Sequence, residues 1–369
     1  MKYRHLSALI KPVSGNCNMH CSYCFYRDVS AHREITDCGK MSLDTLEIIV
    51  RKMYELAENE VYFAFQGGEP TLIGLDFFRK FISLSKRYRP ANMTVQYSLQ
   101  TNAFSLDEEW AAFLAENQFF VGVSLDGTKD IHNQNRKTRS GKDTHGVIMK
   151  NLRLLEHEGV EYNILTVVTA SVARHIESIY RFYKNHNFRY LQFIPCLDGL
   201  DEQRGLNPYS LTPSLYGKFL KKLFDFWFDD YIKGNHVYIR YFDNLLFAAA
   251  GLPVPACGMN GRCENQTVIE ADGSVYPCDF YVIDSYKLGN IVTDELETVL
   301  HRGKKSDFVQ EAVLSDTCKR CKWLTLCRGG CRRDRDYAGA LGDNYFCSAF
   351  CDFFDYASER LYWLCRYKE

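Results

Sequence analysis

Apolar residues in the first two-thirds of the chain alternate between two textures. Short runs dense in β-branched and aromatic residues recur between Lys2 and about Tyr231: "SALIKPV", "VYFAFQGG", "MTVQYSLQTN", "FFVGVSLDG", "YNILTVVTA" and "RYLQFIPC". Strands buried on both faces require runs of this kind. Between them, apolar residues fall three and four apart, the period of a helix that buries one stripe. "MSLDTLEIIVRKMYELAEN" opens with a capping pattern at Ser42, and "SLDEEWAAFLAEN", "THGVIMKNLRLLEHEG" and "SVARHIESIYRFYKNH" share the period. Six strand–helix units predict an α/β fold, a partial (β/α)6 TIM-like barrel whose post-strand loops form one active face. An open flavodoxin-like sheet is the competing arrangement.

After about Val237 the texture changes. "AGLPVPACGMNGRC" is rich in Gly, Pro and Cys, and "TVIEADGSVYPCDFY" reads as a hairpin around Asp272-Gly273. We place a boundary near residue 235, with the barrel over 1–235 and a small cysteine-rich domain of a hairpin and short helices over 236–369. The chain of 369 residues has net charge −1, which gives no basic footprint for nucleic acid or a membrane surface. No apolar run is long enough for a membrane span, and the start is too short for a secretory segment, so the expectation is a cytoplasmic protein. Fifteen cysteines are many for a reducing compartment, and an odd number cannot all pair. Metal or cluster ligation explains them most simply.

Cys17, Cys21 and Cys24 stand at spacing C-x3-C-x2-C just past the first strand. Zinc is one reading, with Cys38 available as a fourth ligand. An iron–sulfur cluster with three thiolates and one open iron is the other. "QGGEP" closes the second strand, where glycines let backbone approach a ligand and Glu69 can accept from an ammonium group. Further on, "CKRCKWLTLCRGGC" holds Cys318, Cys321, Cys327 and Cys331; Cys347 and Cys351 follow, and Cys257, Cys263 and Cys278 precede it. Two zinc sites would also use eight cysteines.

The loop C-x3-C-x-aromatic-C, with Tyr23 as the aromatic, resembles the signature of the radical S-adenosylmethionine (SAM) enzymes. The resemblance implies a [4Fe–4S] cluster on Cys17, Cys21 and Cys24, with SAM's amino and carboxylate groups on the fourth iron. It further implies Gly68 and Glu69 at the SAM amino group, Ser124 at the ribose, Arg136 at the carboxylate and Leu197 at the adenine. The C-terminal block is similar to the SPASM domain, which implies two auxiliary [4Fe–4S] clusters, three in all. By the crossover logic of two-cluster ferredoxins, Cys331 joins Cys257, Cys263 and Cys278, while Cys318, Cys321, Cys327 and Cys347 hold the other. Cys351, four residues past Cys347, is the alternative to it. Cys38, Cys196 and Cys365 are spare.

Over nearly the whole chain, "LIKPVSGNCNMHCSYCFY", "FAFQGGEPTL", "SLQTN", "GVSLDG", "IRYFDNLL", "CGMNGRC", "DGSVYPCDFY" and "CKWLTLCRGGCRRDRD" resemble the anaerobic sulfatase-maturating enzymes. Some relatives carry a further cysteine at the position of Asp334, which is counted as no ligand here. The resemblance implies oxidation of a cysteine or serine in an unfolded or nascent sulfatase peptide to Cα-formylglycine. It implies reduced flavodoxin or ferredoxin as electron donor. Asp279, beside Cys278, matches the family's proton acceptor. In a strand that continued past the hairpin, Cys278 and Asp279 would face opposite ways. The runner-up is a SPASM thioether cyclase or epimerase acting on a small peptide. Cys17 lies too early for the N-terminal peptide-recognition domain that those enzymes often carry. A non-enzymatic iron–sulfur or zinc protein is the third reading.

Overall fold

In a computed structural model, which describes residues 2–309, 314–337 and 340–366, each apolar run forms a strand. They are β1 (Tyr3–Ile10), β2 (Ala57–Phe65), β3 (Thr94–Thr101), β4 (Phe119–Ser124), β5 (Tyr162–Val168) and β6 (Tyr190–Pro195). Each is followed by helix, the alternation expected of an α/β fold with a parallel sheet. The helix Leu43–Leu56 starts where the capping pattern puts it: the Ser42 hydroxyl accepts from Thr45 N at 3.0 Å. It stops earlier than its period suggests, because Ala57–Glu60 pair as strand with β1 instead.

The chain divides into two compact units that interleave in sequence. The first comprises residues 1–124, 136–162 and 264–309. In it β1 to β4 run parallel in order, with Leu6 opposite Val61 and Phe63 opposite Tyr97. The hairpin β8 (Val268–Ile269) and β9 (Ser274–Tyr276) forms at Asp272-Gly273, with β8 added parallel to the outer edge of β1. β10 (Gly289–Asn290) extends it. Phe63, Phe65, Phe78, Phe81 and Phe119 fill the core beneath, with Phe65 and Phe81 edge to face at 4.8 Å. Aromatic contacts of this kind contribute about 0.5–1.5 kcal/mol beyond area burial.

The second unit comprises residues 125–135, 163–263 and 310–369. β5 and β6 pair parallel there, and β7 (Tyr238–Ile239) pairs with β6. Helices Pro213–Ile232, Arg240–Ala249 and Cys347–Arg366 bury Phe224, Trp227, Phe242 and Phe353 against one another. The position near 235, where the sequence texture changes, falls inside this unit, and the hairpin segment that follows packs with the first. Among the described residues no helix is long and apolar enough to cross a membrane.

Candidate functional site

The loop after β1 is shaped by its fixed backbone before any ligand enters. Asn16 O accepts from Glu69 N at 2.8 Å, which stitches the cysteine loop to the "QGGEP" loop. Gly68 has φ +54, and a Cβ there would lie 2.1 Å from Asn16 O. Gly67 has φ +98, and its missing Cβ makes room for the stem of Lys11. Only glycine combines those torsions with that approach. On the other side, His20 N donates to Lys137 O at 2.8 Å, so the residues after Arg136 border the same loop.

Cys17, Cys21 and Cys24 are half-buried on this loop, and Cys24 caps the short helix Phe25–Ala31. Met19 N and Asn102 Nδ2 point at the Cys17 sulfur from 3.4 and 3.5 Å. Burial pushes the Cys17 thiol up to about 11, so a bound cation is what would hold it as thiolate. Arg136 Nη1 lies 3.9 Å from the Cys21 sulfur, and its guanidinium sits over the Tyr23 ring at 5.8 Å. Three thiols with N–H donors aimed at sulfur suit an iron–sulfur cluster, whose sulfurs accept such bonds.

Glu69 is fully buried, and its carboxylate is turned inward. It accepts from Thr71 N, Thr71 Oγ1, Thr101 Oγ1 and Asn102 N at 2.7–3.1 Å. Burial raises its pKa against the opposing pull of those four donors. Its role visible here is to lock the ends of β2 and β3 and to aim Asn102 at Cys17. Ser124 is the last residue of β4, and its hydroxyl accepts from Gln100 Nε2 at 3.2 Å. Leu197 lies two residues past β6, in the second unit.

The hairpin does not continue as strand to Asp279. β9 ends at Tyr276, before Pro277; Cys278 is extended, and Asp279 opens a single 3-10 turn. Proline has no N–H to continue the ladder, so the opposite-face argument gives way to a turn. Asp279 is buried. Its Oδ2 accepts from the Tyr26 hydroxyl at 2.6 Å and Gln66 Nε2 at 2.9 Å. Its Oδ1 has no hydrogen-bond partner among the described residues. Burial raises its pKa, opposed by Lys11 and by the Tyr26 bond. A carboxylate with one oxygen clamped and the other bare is arranged to take a proton.

Sequence reasoning missed the ion network behind it. Lys11 Nζ pairs with Glu270 Oε1 at 2.8 Å, and Arg33 Nη1 meets the same oxygen at 2.9 Å. All three side chains are 2% exposed or less. A lysine inside the apolar run "SALIKPV" was the available signal, because a buried ammonium demands a partner.

In the second unit, Cys257 and Cys263 act electrostatically on each other and on Cys331. Gly258 brings backbone close to Cys331, where a Cβ would stand 3.4 Å from that of the cysteine. Cys278 is on the first unit. Cys318, Cys321, Cys327 and Cys351 all lie near Cys347, and form a second group with it.

The model of the Radical SAM superfamily matches residues 12–183, and that of the SPASM iron-sulfur cluster-binding domain matches 257–322. The chain is 48% identical, over 95% of both proteins, to the cysteine-type anaerobic sulfatase-maturating enzyme of Clostridium novyi (strain NT). It is 30% identical to the serine-type enzyme of Bacteroides thetaiotaomicron, over 96% of this chain and 89% of that one. A solved structure of native anSMEcpe with bound AdoMet is similar at TM-score 0.94 and 46% identity, over 99% of this chain and 100% of that one. The same protein with AdoMet and Cp18Cys peptide matches at TM-score 0.93 and 44% identity, with the same coverage.

Proposed function

Because the chain belongs to the anaerobic sulfatase-maturating enzymes, radical SAM proteins with a C-terminal SPASM domain, we propose that it oxidises a sulfatase cysteine to Cα-formylglycine. The observation that carries the chemistry is Asp279: a buried carboxylate with one oxygen held by Tyr26 and Gln66 and the other bare. Identity to the cysteine-type relative, 48% against 30% for the serine type, favours cysteine as substrate.

Cys17, Cys21 and Cys24 would hold a [4Fe–4S] cluster, with Gly68, Glu69, Ser124, Arg136 and Leu197 around SAM. When bound, these groups supply the radical that removes a hydrogen from the substrate Cβ. Arg136 offers a buried guanidinium for a carboxylate. The missing Cβ at Gly68 lets the cysteine loop close on it at Asn16, with Glu69 fixing that loop rather than offering a free oxygen. Asp279 Oδ1 takes the substrate thiol proton, while the donors on Oδ2 keep the carboxylate oriented. The oxidation also releases one electron, and the C-terminal cysteines would hold two auxiliary clusters, for three in all, that would supply an acceptor for it. Cys257, Cys263, Cys278 and Cys331 would hold one, and Cys318, Cys321, Cys327 and Cys347 the other. Full thiolate ligation suits electron transfer. Reduced flavodoxin or ferredoxin would serve as donor in the cytoplasm.

The test is anaerobic incubation of the reconstituted, reduced protein with SAM and a sulfatase peptide of about 18 residues, enough chain to span a cleft in extended form. Mass spectrometry should show the cysteine peptide converted to the aldehyde with 5′-deoxyadenosine formed alongside. A thioether-bridged or epimerised product instead would point to the peptide-cyclase or epimerase chemistry.

A further inference from the structure

The second cysteine group holds one thiol more than a four-iron cluster takes. Cys347 and Cys351 are the first and fifth residues of the helix Cys347–Arg366. Four residues apart, they point from the same face one turn along, about 6 Å of rise. The Cys351 thiol lies near both Cys347 and Cys321.

A separate set of contacts concerns the turn that carries Cys351. The loop between Cys321 and Cys327 is pinned to it: Trp323 Nε1 donates to Asp355 Oδ1 at 3.0 Å, and Lys322 Nζ lies 2.6 Å from the same oxygen. The Trp323 ring packs on Phe354 at 5.9 Å between centroids. Cys347, by contrast, opens the helix, where its N–H donates to Asn344 O at 2.9 Å rather than to an intrahelical carbonyl. The turn after it is held to the very loop that carries the other ligands.

We propose that Cys351 is an alternate ligand of the second auxiliary cluster, able to take the iron that Cys347 holds. The proposal rests on the three-cluster reading above. In the exchange Cys351 gives up its proton and binds as thiolate, and Cys347 leaves the iron and takes up a proton. No electron moves, and the centre keeps four thiolates and its charge. The two forms differ in which turn of the helix carries the iron.

Iron and sulfide content after anaerobic reconstitution, with EPR of the reduced protein, tests it in the full chain. Cys347→Ala and Cys351→Ala should each keep wild-type iron and sulfide. The double variant should lose about a third of both, one cluster of three. The EPR signal of the second auxiliary cluster should shift in Cys347→Ala, because one ligand has changed position. Loss in Cys347→Ala as complete as in the double variant overturns the exchange, as does loss confined to Cys351→Ala. A double variant that keeps all its iron also overturns it. A wild type that takes up no cluster at these thiols overturns the three-cluster reading and the exchange together. The signals of the other two clusters, retained in every variant, separate ligand loss from failure to fold.

Discussion

Replacing Asp279 by Asn removes a base while leaving a side chain of nearly the same shape. The amide oxygen can take the place of Oδ2 and keep accepting from Tyr26 and Gln66, which stand at 2.6 and 2.9 Å. The NH2 group then occupies the position of the bare Oδ1 and offers a donor where the substrate thiol needs an acceptor. Loss of a positioned general base typically costs about 10²–10⁴ in rate, or roughly 3–5 kcal/mol at 1.36 kcal/mol per tenfold. Formylglycine formation under single turnover should therefore fall by about that factor. Formation of 5′-deoxyadenosine should fall much less, because taking hydrogen from Cβ does not use the carboxylate. The pH profile carries the second signature. Burial raises the Asp279 pKa, and the ionised form is the one that accepts a proton, so wild-type turnover should be lost as pH falls through that raised value. The Asn variant should show no such limb. A variant with verified cluster content that makes formylglycine at near wild-type rate across the pH range would refute the assignment.

Cys17, Cys21 and Cys24 replaced together by Ala should abolish SAM cleavage and leave the iron bound by the C-terminal cysteines, read by iron, sulfide and EPR. Gly68→Ala puts a methyl 2.1 Å from Asn16 O at a left-handed backbone position, which costs at least about 1–3 kcal/mol. It should lower iron retention on the N-terminal loop selectively, visible as loss of that cluster's SAM-sensitive EPR signal. Lys11→Met leaves Glu270 buried with Arg33 alone and should destabilise the protein by about 3–5 kcal/mol, measured by urea unfolding. Glu270 titrates below its usual range because Lys11 and Arg33 outweigh the opposing effect of burial. Its contribution is present above the ordinary Glu pKa and lost as pH falls through the lowered one, so the Lys11→Met deficit should shrink in acid.

What the sequence made legible were features with local causes. The six runs from "SALIKPV" to "RYLQFIPC" announce strands because burial on both faces leaves little room for polar residues. Ser42 announces a helix start because the cap is a bond to a residue three places on. Cys17, Cys21 and Cys24 were readable because a thiolate loop needs its ligands close in sequence. The pairing of Lys11 and Arg33 with Glu270 was not: Lys11 in its apolar run calls for a partner, but that partner lies more than two hundred residues away. The same holds for Tyr26 and Gln66 on Asp279. Glu69 was legible as important, but its enclosed carboxylate shows that position alone does not say which atoms face a ligand. The break at Pro277 is legible in "SVYPCDFY", because a residue without an N–H ends the two-residue alternation before Asp279.

The ion network also sets a clock on biosynthesis. Arg33 leaves the ribosome 237 residues ahead of its partner Glu270. At roughly 5–20 residues per second, its guanidinium waits about 12–47 s for the anion it will be buried against. Until then the sheet edge beside β1 is open, because β8 has not been made. The N-terminal cysteine loop therefore reaches its final setting only late in translation. A cluster loaded onto the nascent chain would sit beside an unclosed edge, exposed to water and oxidants. Loading once residues 264–309 have closed on β1 is the order this topology favours.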